Sequence, residues 1–285
     1  MKKLPLPRVN DVRSTTDTAN NTRLHKTSFP HLQNTLPLVI GSYQQYTNSN
    51  GNALNIHSIR VSDDLKKGLL KNYNKPPNSL AFIKQIRASS PVVCPMCGSL
   101  KTTSLDHLLP KENYPEFTVY SKNLVPACDC NTKRGTATKN QVTGARVMHP
   151  YFDNCLSQRQ LSCSILPRSN FPNVDIRIAY VNPADPLIDS LKFHVQKVVM
   201  PSGLVGWLSS KWSSLVEYPG GVVHTLPPKR IAGTAELQTY LDDALQRYDR
   251  SLGTPNNWES ILVHGLIHSA GVLPWLLSRH NQDYP

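Results

Sequence analysis

Two pairs of closely spaced cysteines restrict the fold of this 285-residue chain more than any other feature. Cys94 and Cys97 form a C-x-x-C pair, and the Gly98 that follows permits the tight turn of a metal-binding knuckle. Cys128 and Cys130 follow about thirty residues later. Four thiolates suit a tetrahedral zinc ion, so we expect this segment to close on itself around a structural metal.

The second cysteine pair is shorter than the usual zinc pattern, because only Asp129 separates its members. Cys128 is therefore open to question as a ligand, and His149, Cys155 or Cys163 are alternatives. Two close pairs are poorly explained as ordinary buried thiols. With no secretion signal at the start of the chain, the six cysteines favour reduced thiols and a cytoplasmic protein.

A second group of residues, lying between and beside the cysteine pairs, favours a site for a hard metal ion. Asp106 and His107 are adjacent in LDHLLPK, so on a strand we expect them to point to opposite sides. Asn123 stands in NLVPAC and Asn131 in CNTK. Together with the cysteine pairs, these motifs resemble the HNH nuclease superfamily, whose small ββα-metal core cleaves phosphodiester bonds.

The resemblance implies a role for each of these residues. Asp106 would bind a catalytic Mg²⁺ or Mn²⁺, His107 would take the proton of the attacking water, and Asn123 would fix the segment that carries this base. Asn131 stands in place of the final histidine of the motif, which makes the chain an H-N-N variant with a second oxygen ligand. Imidazole titrates near pH 6.5, which suits a general base at neutral pH.

The motifs of this chain most resemble one branch of the superfamily. LDHLLPK, YPEF, NLVPAC and a later HPYFD occur together between Pro91 and Asp153, which resembles HNH subunits of bacterial anti-phage systems of the Septu type. Some of those subunits act beside an SMC-like ATPase, so the resemblance implies a role in defence and an ATPase partner. His149, in HPYFD, either joins the metal site or packs in the core, and we favour packing.

The charge distribution indicates where nucleic acid would bind. The net charge is +12, and residues 1–90 hold 13 Lys and Arg against 4 Asp and Glu. Residues 91–150 hold 7 against 4, whereas residues 151–285 hold 11 of each. The basic part can attract a phosphate backbone, with Lys133, Arg134 and Lys139 as candidate contacts. The neutral part resembles a surface for a protein partner.

We therefore predict an α+β protein of three parts. Residues 1–90 are a basic polar tail with short helices, residues 91–153 are the zinc-stapled nuclease core, and residues 154–285 are a mixed strand and helix region for a partner. Ser62 and Ser79 are expected to begin helices in the first part. No apolar run is long enough to span a membrane.

In the third part, alternating apolar residues predict two strands, one from Val174 to Tyr180 and one from Leu191 to Val195. Residues 201–221 are expected to be irregular, and helices are expected from Thr234 and after a capping box at Asn256. His264 and His268 are spaced like zinc ligands, but Gly265 replaces the glutamate of a protease motif, so we predict a polar helix face.

Two other functions remain open. A zinc-knuckle protein can bind DNA or serve as a scaffold without cutting, although such a protein has no need of Asp106, His107 and Asn131. The motif does not distinguish sugars, so an RNA-cleaving effector is the second alternative.

Overall fold

The computed structural model describes all 285 residues. The first part is helical and contains α1 (Asp11–Ala19), α2 (His31–Asn48), α3 (Asp63–Asn74) and α4 (Phe82–Ala88). Ser62 begins α3 as predicted, because its hydroxyl accepts the backbone N–H of Leu65. Ser79 does not begin α4. It lies in a short 3₁₀ turn, and its hydroxyl is 2.7 Å from that of Thr18 in α1.

The central part is a hairpin followed by one helical turn. β1 (Ser104–His107) pairs antiparallel with β2 (Leu124–Ala127), so that His107 lies opposite Leu124 and Asp106 opposite Val125. Three residues after β2, the chain enters α5 (Cys130–Arg134). A second small ribbon follows, with β3 (Lys139–Asn140) paired to β4 (Ala145–Arg146).

The last part combines one hairpin with six helices. β5 (Leu161–Pro167) pairs antiparallel with β6 (Val174–Tyr180), and the helix α10 packs on β5. The helices are α6 (Ile188–His194), α7 (Leu204–Glu217), α8 (Pro219–Val222), α9 (Thr234–Leu252), α10 (Trp258–His268) and α11 (Val272–Gln282).

Two expectations for this part are wrong, and one is displaced by a residue. Residues 188–194 are helix α6, which continues into a π-helical turn, Val195–Val199, so the predicted strand from Leu191 is absent. Residues 204–217, expected to be irregular, form α7, which buries Leu204, Leu208, Trp212 and Leu215 at helical spacing. Asn257 rather than Asn256 caps α10: its side chain accepts the backbone N–H of Ser260, whereas the side chain of Asn256 is bonded to the backbone of Gln160 and Gln158.

Two hydrophobic clusters form the interior. One, of 19 buried residues, joins α1–α4 to one face of the hairpin and includes Leu105 and Leu124. The other, of 40 buried residues, joins the cysteines to the last part and includes Val125 and Ala127. Because side chains alternate along a strand, the β1–β2 hairpin lies between the two clusters. The hairpin is therefore held by packing on both of its faces.

The first residues of the chain are also part of this interior. Met1 is fully buried, and the backbone N–H groups of Lys2 and Leu4 donate to the carbonyls of Pro95 and Pro150 at 2.9 Å. The beginning of the basic polar part predicted over residues 1–90 is thus ordered against the rest of the protein.

No single helix is long and apolar enough to cross a membrane. The helices α10 and α11 reach that length and hydropathy only when taken together, and they are bent by 102° at the break between them.

Candidate metal centre and catalytic cavity

The four predicted cysteines come together in one buried cluster. Cys94, Cys97, Cys128 and Cys130 are each at most 2 % exposed, and their sulfur atoms all lie within 4.8 Å of one another. The Sγ atoms of Cys94 and Cys130 are 3.7 Å apart, and those of Cys97 and Cys128 are 3.5 Å apart. Sulfur ligands of a tetrahedral zinc ion are separated by about 3.8 Å, so this cluster can hold a structural metal such as zinc.

Local backbone geometry produces this convergence. Gly98 has φ +84°, and a Cβ atom there would lie 2.2 Å from the carbonyl oxygen of Asn256, so the knuckle needs glycine. The backbone N–H groups of Cys128 and Cys130 point to the sulfur atoms of Cys94 and Cys128, at 3.4 and 3.3 Å. Such N–H donors favour thiolates, as a metal site requires.

The shortened C-x-C pair contributes both of its cysteines to the cluster. Cys128 has its sulfur in the group, and none of the alternatives does. The thiol of Cys163 bonds to the carbonyl of Ile261, and burial raises the pKa of Cys163 to about 12 and that of Cys155 to about 11. These two cysteines are therefore ordinary thiols away from the cluster.

A cavity of about 220 Å³ is lined by residues of β1 and α5, and Asn131 in its wall directly follows Cys130 of the cysteine cluster. The cavity brings together Asp106, His107 and Asn131, and Arg134 lines it as well. Asp106 and His107 share this cavity although neighbouring residues of a strand usually point apart, because β1 ends at His107. The other lining residues are Pro110, Lys111, Glu112, Thr132, Gly135 and Thr136.

The ring of His107 is held in one orientation. Its residue is 2 % exposed, and Nε2 lies 2.9 Å from the carbonyl oxygen of Thr118. A carbonyl can only accept, so Nε2 carries the hydrogen, and Nδ1 of the neutral ring is left as a proton acceptor. Nδ1 is 3.7 Å from Oδ1 of Asp106, and the ring of Tyr73 packs 4.6 Å away.

Asp106 supplies an ionised carboxylate to the cavity. Burial alone would raise its pKa, but hydrogen bonds to the carboxylate, including one from the backbone N–H of His107, outweigh burial and lower the pKa of Asp106 to about 2. Its Oδ1 accepts the backbone N–H of His107 at 2.7 Å. The side chain is 27 % exposed, in contrast to the buried imidazole, so the carboxylate faces the open side of the cavity.

Asn131 and Arg134 lie on α5 and clamp the end of β1. Nδ2 of Asn131 and Nη2 of Arg134 both donate to the carbonyl of His107 at 3.2 Å. Nε of Arg134 donates to Oδ1 of Asn131 at 2.9 Å, and Nη1 donates to the carbonyl of Ala137 at 3.2 Å. Arg134 is only 6 % exposed, so it belongs to the wall of the cavity rather than to an open basic surface.

Asn123 fixes the loop behind the histidine. Its Oδ1 accepts the backbone N–H of Leu109 at 2.8 Å, and its Nδ2 donates to the carbonyls of Leu109 at 3.1 Å and Phe117 at 3.3 Å. That loop ends at Thr118, whose carbonyl holds His107. The amide of Asn123 thus ties the two ends of the loop together.

Two buried residues support Asn123 from a distance in sequence. The hydroxyl of Tyr46, on α2, lies 3.2 Å from Oδ1 of Asn123 and 2.9 Å from Nε2 of His149. Nδ1 of His149 accepts the N–H of Tyr151 at 3.1 Å, and burial lowers the pKa of His149 to about 3. Both ring nitrogens are therefore occupied, and His149 packs in the core, as favoured from the sequence.

The remaining candidate residues are placed as follows. Lys133 is exposed and pairs with Asp129 at 2.9 Å, and Nζ of Lys139 donates to the carbonyl of Ala53 at 2.7 Å. The rings of His264 and His268 stack on the exposed side of α10 with their centroids 3.9 Å apart. They do not belong to the metal-binding group.

The sequence did not predict the roles of three residues that contribute to the site. Tyr46 gave no signal, because its hydroxyl meets a histidine 103 residues away. Thr118 gave none, because it acts through its backbone carbonyl, which every residue has. Arg134 was noticed only as a basic residue. Its spacing of three residues from Asn131 on a helical turn was the available clue to their contact.

Comparison with known proteins identifies a partial relative. Protein ea31 of Escherichia phage lambda is 30 % identical to this chain over 182 residues, which cover 56 % of this chain and 60 % of ea31. The chain therefore spans less than two thirds of that relative. No protein-family model matches the sequence, and no solved structure matches the fold.

Proposed function

We propose that this protein is a metal-dependent endonuclease that hydrolyses phosphodiester bonds of DNA, with the cavity at Asp106 and His107 as its active site. The supporting observation is the hydrogen bond from Nε2 of His107 to the carbonyl of Thr118, which leaves Nδ1 as the acceptor beside an ionised carboxylate. His107 lines the cavity together with Asp106, so the acceptor nitrogen that a general base needs lies where a water molecule could be activated. The HNH resemblance of the same residues agrees with this role.

The cavity has the donors that a hard divalent cation requires. Asp106 offers a carboxylate that stays ionised, since its pKa is about 2, and Asn131 offers an amide oxygen. Mg²⁺ and Mn²⁺ prefer such oxygen ligands and complete their shells with water and substrate phosphate. Bound there, the cation would stabilise negative charge on the phosphate and on the leaving 3′ oxygen.

The chain itself would perform the proton transfer. Nδ1 of His107 takes a proton from a water molecule as the water oxygen attacks phosphorus, and the bond from phosphorus to the 3′ oxygen breaks. The carbonyl of Thr118 keeps its bond to Nε2–H and so stabilises the imidazolium that forms. Asn123 holds the loop in place during this step through its three bonds to Leu109 and Phe117.

We assign zinc to the cysteine cluster, with a role in positioning. Cys130 is the first residue of α5, and Asn131 directly follows it. A metal held by Cys130 would fix the helical turn from which Asn131 and Arg134 clamp His107. The structural metal would thereby set the geometry of the catalytic residues without touching the substrate.

We further propose control by a protein partner through residues 154–285. This part carries no net charge, and so it lacks the electrostatic means to hold DNA. An SMC-like ATPase is the partner that the anti-phage resemblance implies. A pull-down from native cells with the full chain should retain that partner, and recovery of no partner would count against this proposal.

Cleavage of plasmid DNA tests the proposal directly. Purified protein is incubated with plasmid and, separately, with RNA, each with Mg²⁺, Mn²⁺ or EDTA. We expect nicks or breaks in the plasmid with either metal and none with EDTA. Cleavage of RNA alone would assign the site to an RNA-cutting effector, and no cleavage of either under any condition would favour a scaffold.

A further inference from the structure

Arg134 holds the one atom of Asn131 that a metal ion would need. Oδ1 of Asn131 accepts Nε of Arg134 at 2.9 Å, while Nδ2 is occupied by the carbonyl of His107 at 3.2 Å. One lone pair of Oδ1 and one hydrogen of Nδ2 are therefore engaged by groups of the chain itself. Asn131 cannot give its oxygen fully to a cation while Arg134 keeps it.

The charge of Arg134 acts in the same direction. Burial lowers the pKa of Arg134 only to about 10, so the guanidinium is charged at neutral pH, and it lies close enough to Asp106 for their charges to interact. A cation entering the cavity must share Asp106 with this resident positive charge. The hydrogen bond to Asn131 and the positive charge near Asp106 both weaken metal binding, as long as the guanidinium of Arg134 has no other partner.

We propose that Arg134 is a latch that couples metal binding to substrate binding. Its fork has five N–H donors, of which three are used by Asn131, Ala137 and His107. A phosphate oxygen in the cavity offers the guanidinium a stronger, charge-assisted partner than the amide of Asn131. When the phosphate takes Arg134, Oδ1 of Asn131 becomes free for the metal.

This inference rests on the proposed metal site and adds a regulatory property to it. Coupling between two ligands is reciprocal: if the phosphate backbone frees the metal site, the metal must strengthen binding of the backbone by the same factor. The free protein would hold Mg²⁺ or Mn²⁺ weakly and complete its centre only on nucleic acid. Cleavage competence would then depend on substrate without any movement of a domain.

The latch is tested by measuring whether Arg134→Met raises or lowers the affinity of the protein for Mn²⁺. Methionine keeps much of the apolar length of arginine but has neither donors nor charge. Without nucleic acid, this variant should bind Mn²⁺ at least about tenfold more tightly than the wild type, because a charge-assisted hydrogen bond no longer holds Asn131. A residue that only supported the fold would give the opposite result, since its removal would loosen the site.

The coupling between metal binding and DNA binding is measured in a variant that cannot cleave DNA. In His107→Gln protein, a short DNA duplex should tighten Mn²⁺ binding about tenfold, and addition of Arg134→Met should reduce this factor to less than about threefold. Mn²⁺ bound by DNA alone is subtracted with Asp106→Asn protein. Lys133→Met removes the same charge one residue away, from an exposed position, and should leave Mn²⁺ affinity without DNA unchanged.

Zinc content and thermal melting confirm that each variant is folded. If Arg134→Met does not fold, Arg134→Gln replaces it with the same expected direction, because glutamine also lacks the charge and the guanidinium fork. Equal or weaker Mn²⁺ binding in the folded variant, or an unchanged coupling factor, would overturn the latch. Absence of any Mn²⁺ binding that depends on Asp106 would instead remove the proposed function.

Discussion

The cysteine cluster and the cavity at Asp106 and His107 meet in sequence at Cys130 and Asn131, yet they are built in opposite ways. The four sulfur atoms are buried and already as close together as a metal requires. In the cavity, the candidate ligands Asp106 and Asn131 are engaged with His107 and Arg134. A structural centre is finished when the chain folds, whereas a centre that must exchange substrate keeps partners that can be replaced.

Loss of one sulfur should be the most damaging change to the molecule. Binding of structural zinc is commonly worth about 10–16 kcal/mol in small domains, so Cys97→Ser should cost about 5 kcal/mol or more of folding free energy. That loss corresponds to a fall in melting temperature of at least about 10 °C. Calorimetry and metal analysis by mass spectrometry measure both quantities.

Cys163→Ser is the matched control for this change. Cys163 is equally buried but lies outside the cluster, so its replacement should leave about one zinc per chain and cost only about 1–2 kcal/mol. Equal losses of stability and zinc in the two variants would mean that the cluster has no special role.

The largest effect in the cavity should be on rate rather than on stability. His107→Gln retains an N–H that can reach the carbonyl of Thr118 but removes the Nδ1 acceptor, so the fold and the zinc content should persist. Plasmid cleavage should fall by about 10²–10⁴-fold, the contribution of a positioned base. His107→Ala is a less specific change, because it also leaves a cavity and an unpaired carbonyl at a site that is 2 % exposed.

Rates are followed by conversion of supercoiled plasmid, with melting temperature measured on the same samples. A glutamine variant that cuts at the wild-type rate would show that His107 is not the base. A variant that loses zinc as well would show that the cavity and the cluster cannot be separated.

A smaller effect is expected from the support behind the cavity. Tyr46→Phe removes the hydroxyl that bonds both His149 and Asn123, which should cost about 1–3 kcal/mol because Nε2 of His149 then has no partner in the interior. Cleavage should fall less than about tenfold, through kcat with KM unchanged, because the hydroxyl positions the loop and does not touch substrate.

Tyr43→Phe serves as the comparison for Tyr46. It lies one turn earlier on α2 and is also buried, but its hydroxyl makes only a long contact of 3.5 Å with Thr15. Its loss should change neither kcat nor KM. A decrease in kcat of the same size for both variants would mean that any cavity in this cluster slows the reaction.

The parts of the site that the sequence predicted are those with short spacing. The cysteine pairs, the adjacent Asp106 and His107, and Asn131 next to Cys130 lie within a few residues of one another, so local geometry places them together. Ser62 was predictable for the same reason, because a cap acts within one turn.

The features that escaped prediction depend on distant contacts or on short patterns. Tyr46 meets a histidine 103 residues away, and nothing near it in sequence marks that contact. The alternation of Leu191, Phe193 and Val195 covers only three apolar positions, too few to distinguish a strand from the helical turn that the structure contains. Packing against distant residues decided both cases.

The contact between the cysteine knuckle and α10 affects when the knuckle can reach its final structure during synthesis. The indole N–H of Trp258 donates to the carbonyl of Cys97 at 2.9 Å, across 161 residues, and its backbone N–H donates to Gly98. Ribosomes add about 5–20 residues per second, so this support arrives roughly 10–30 s after the knuckle has been made. While the chain is still being synthesised, the first cysteine pair therefore lacks its contact with Trp258. This contact can form only after α10 has been translated.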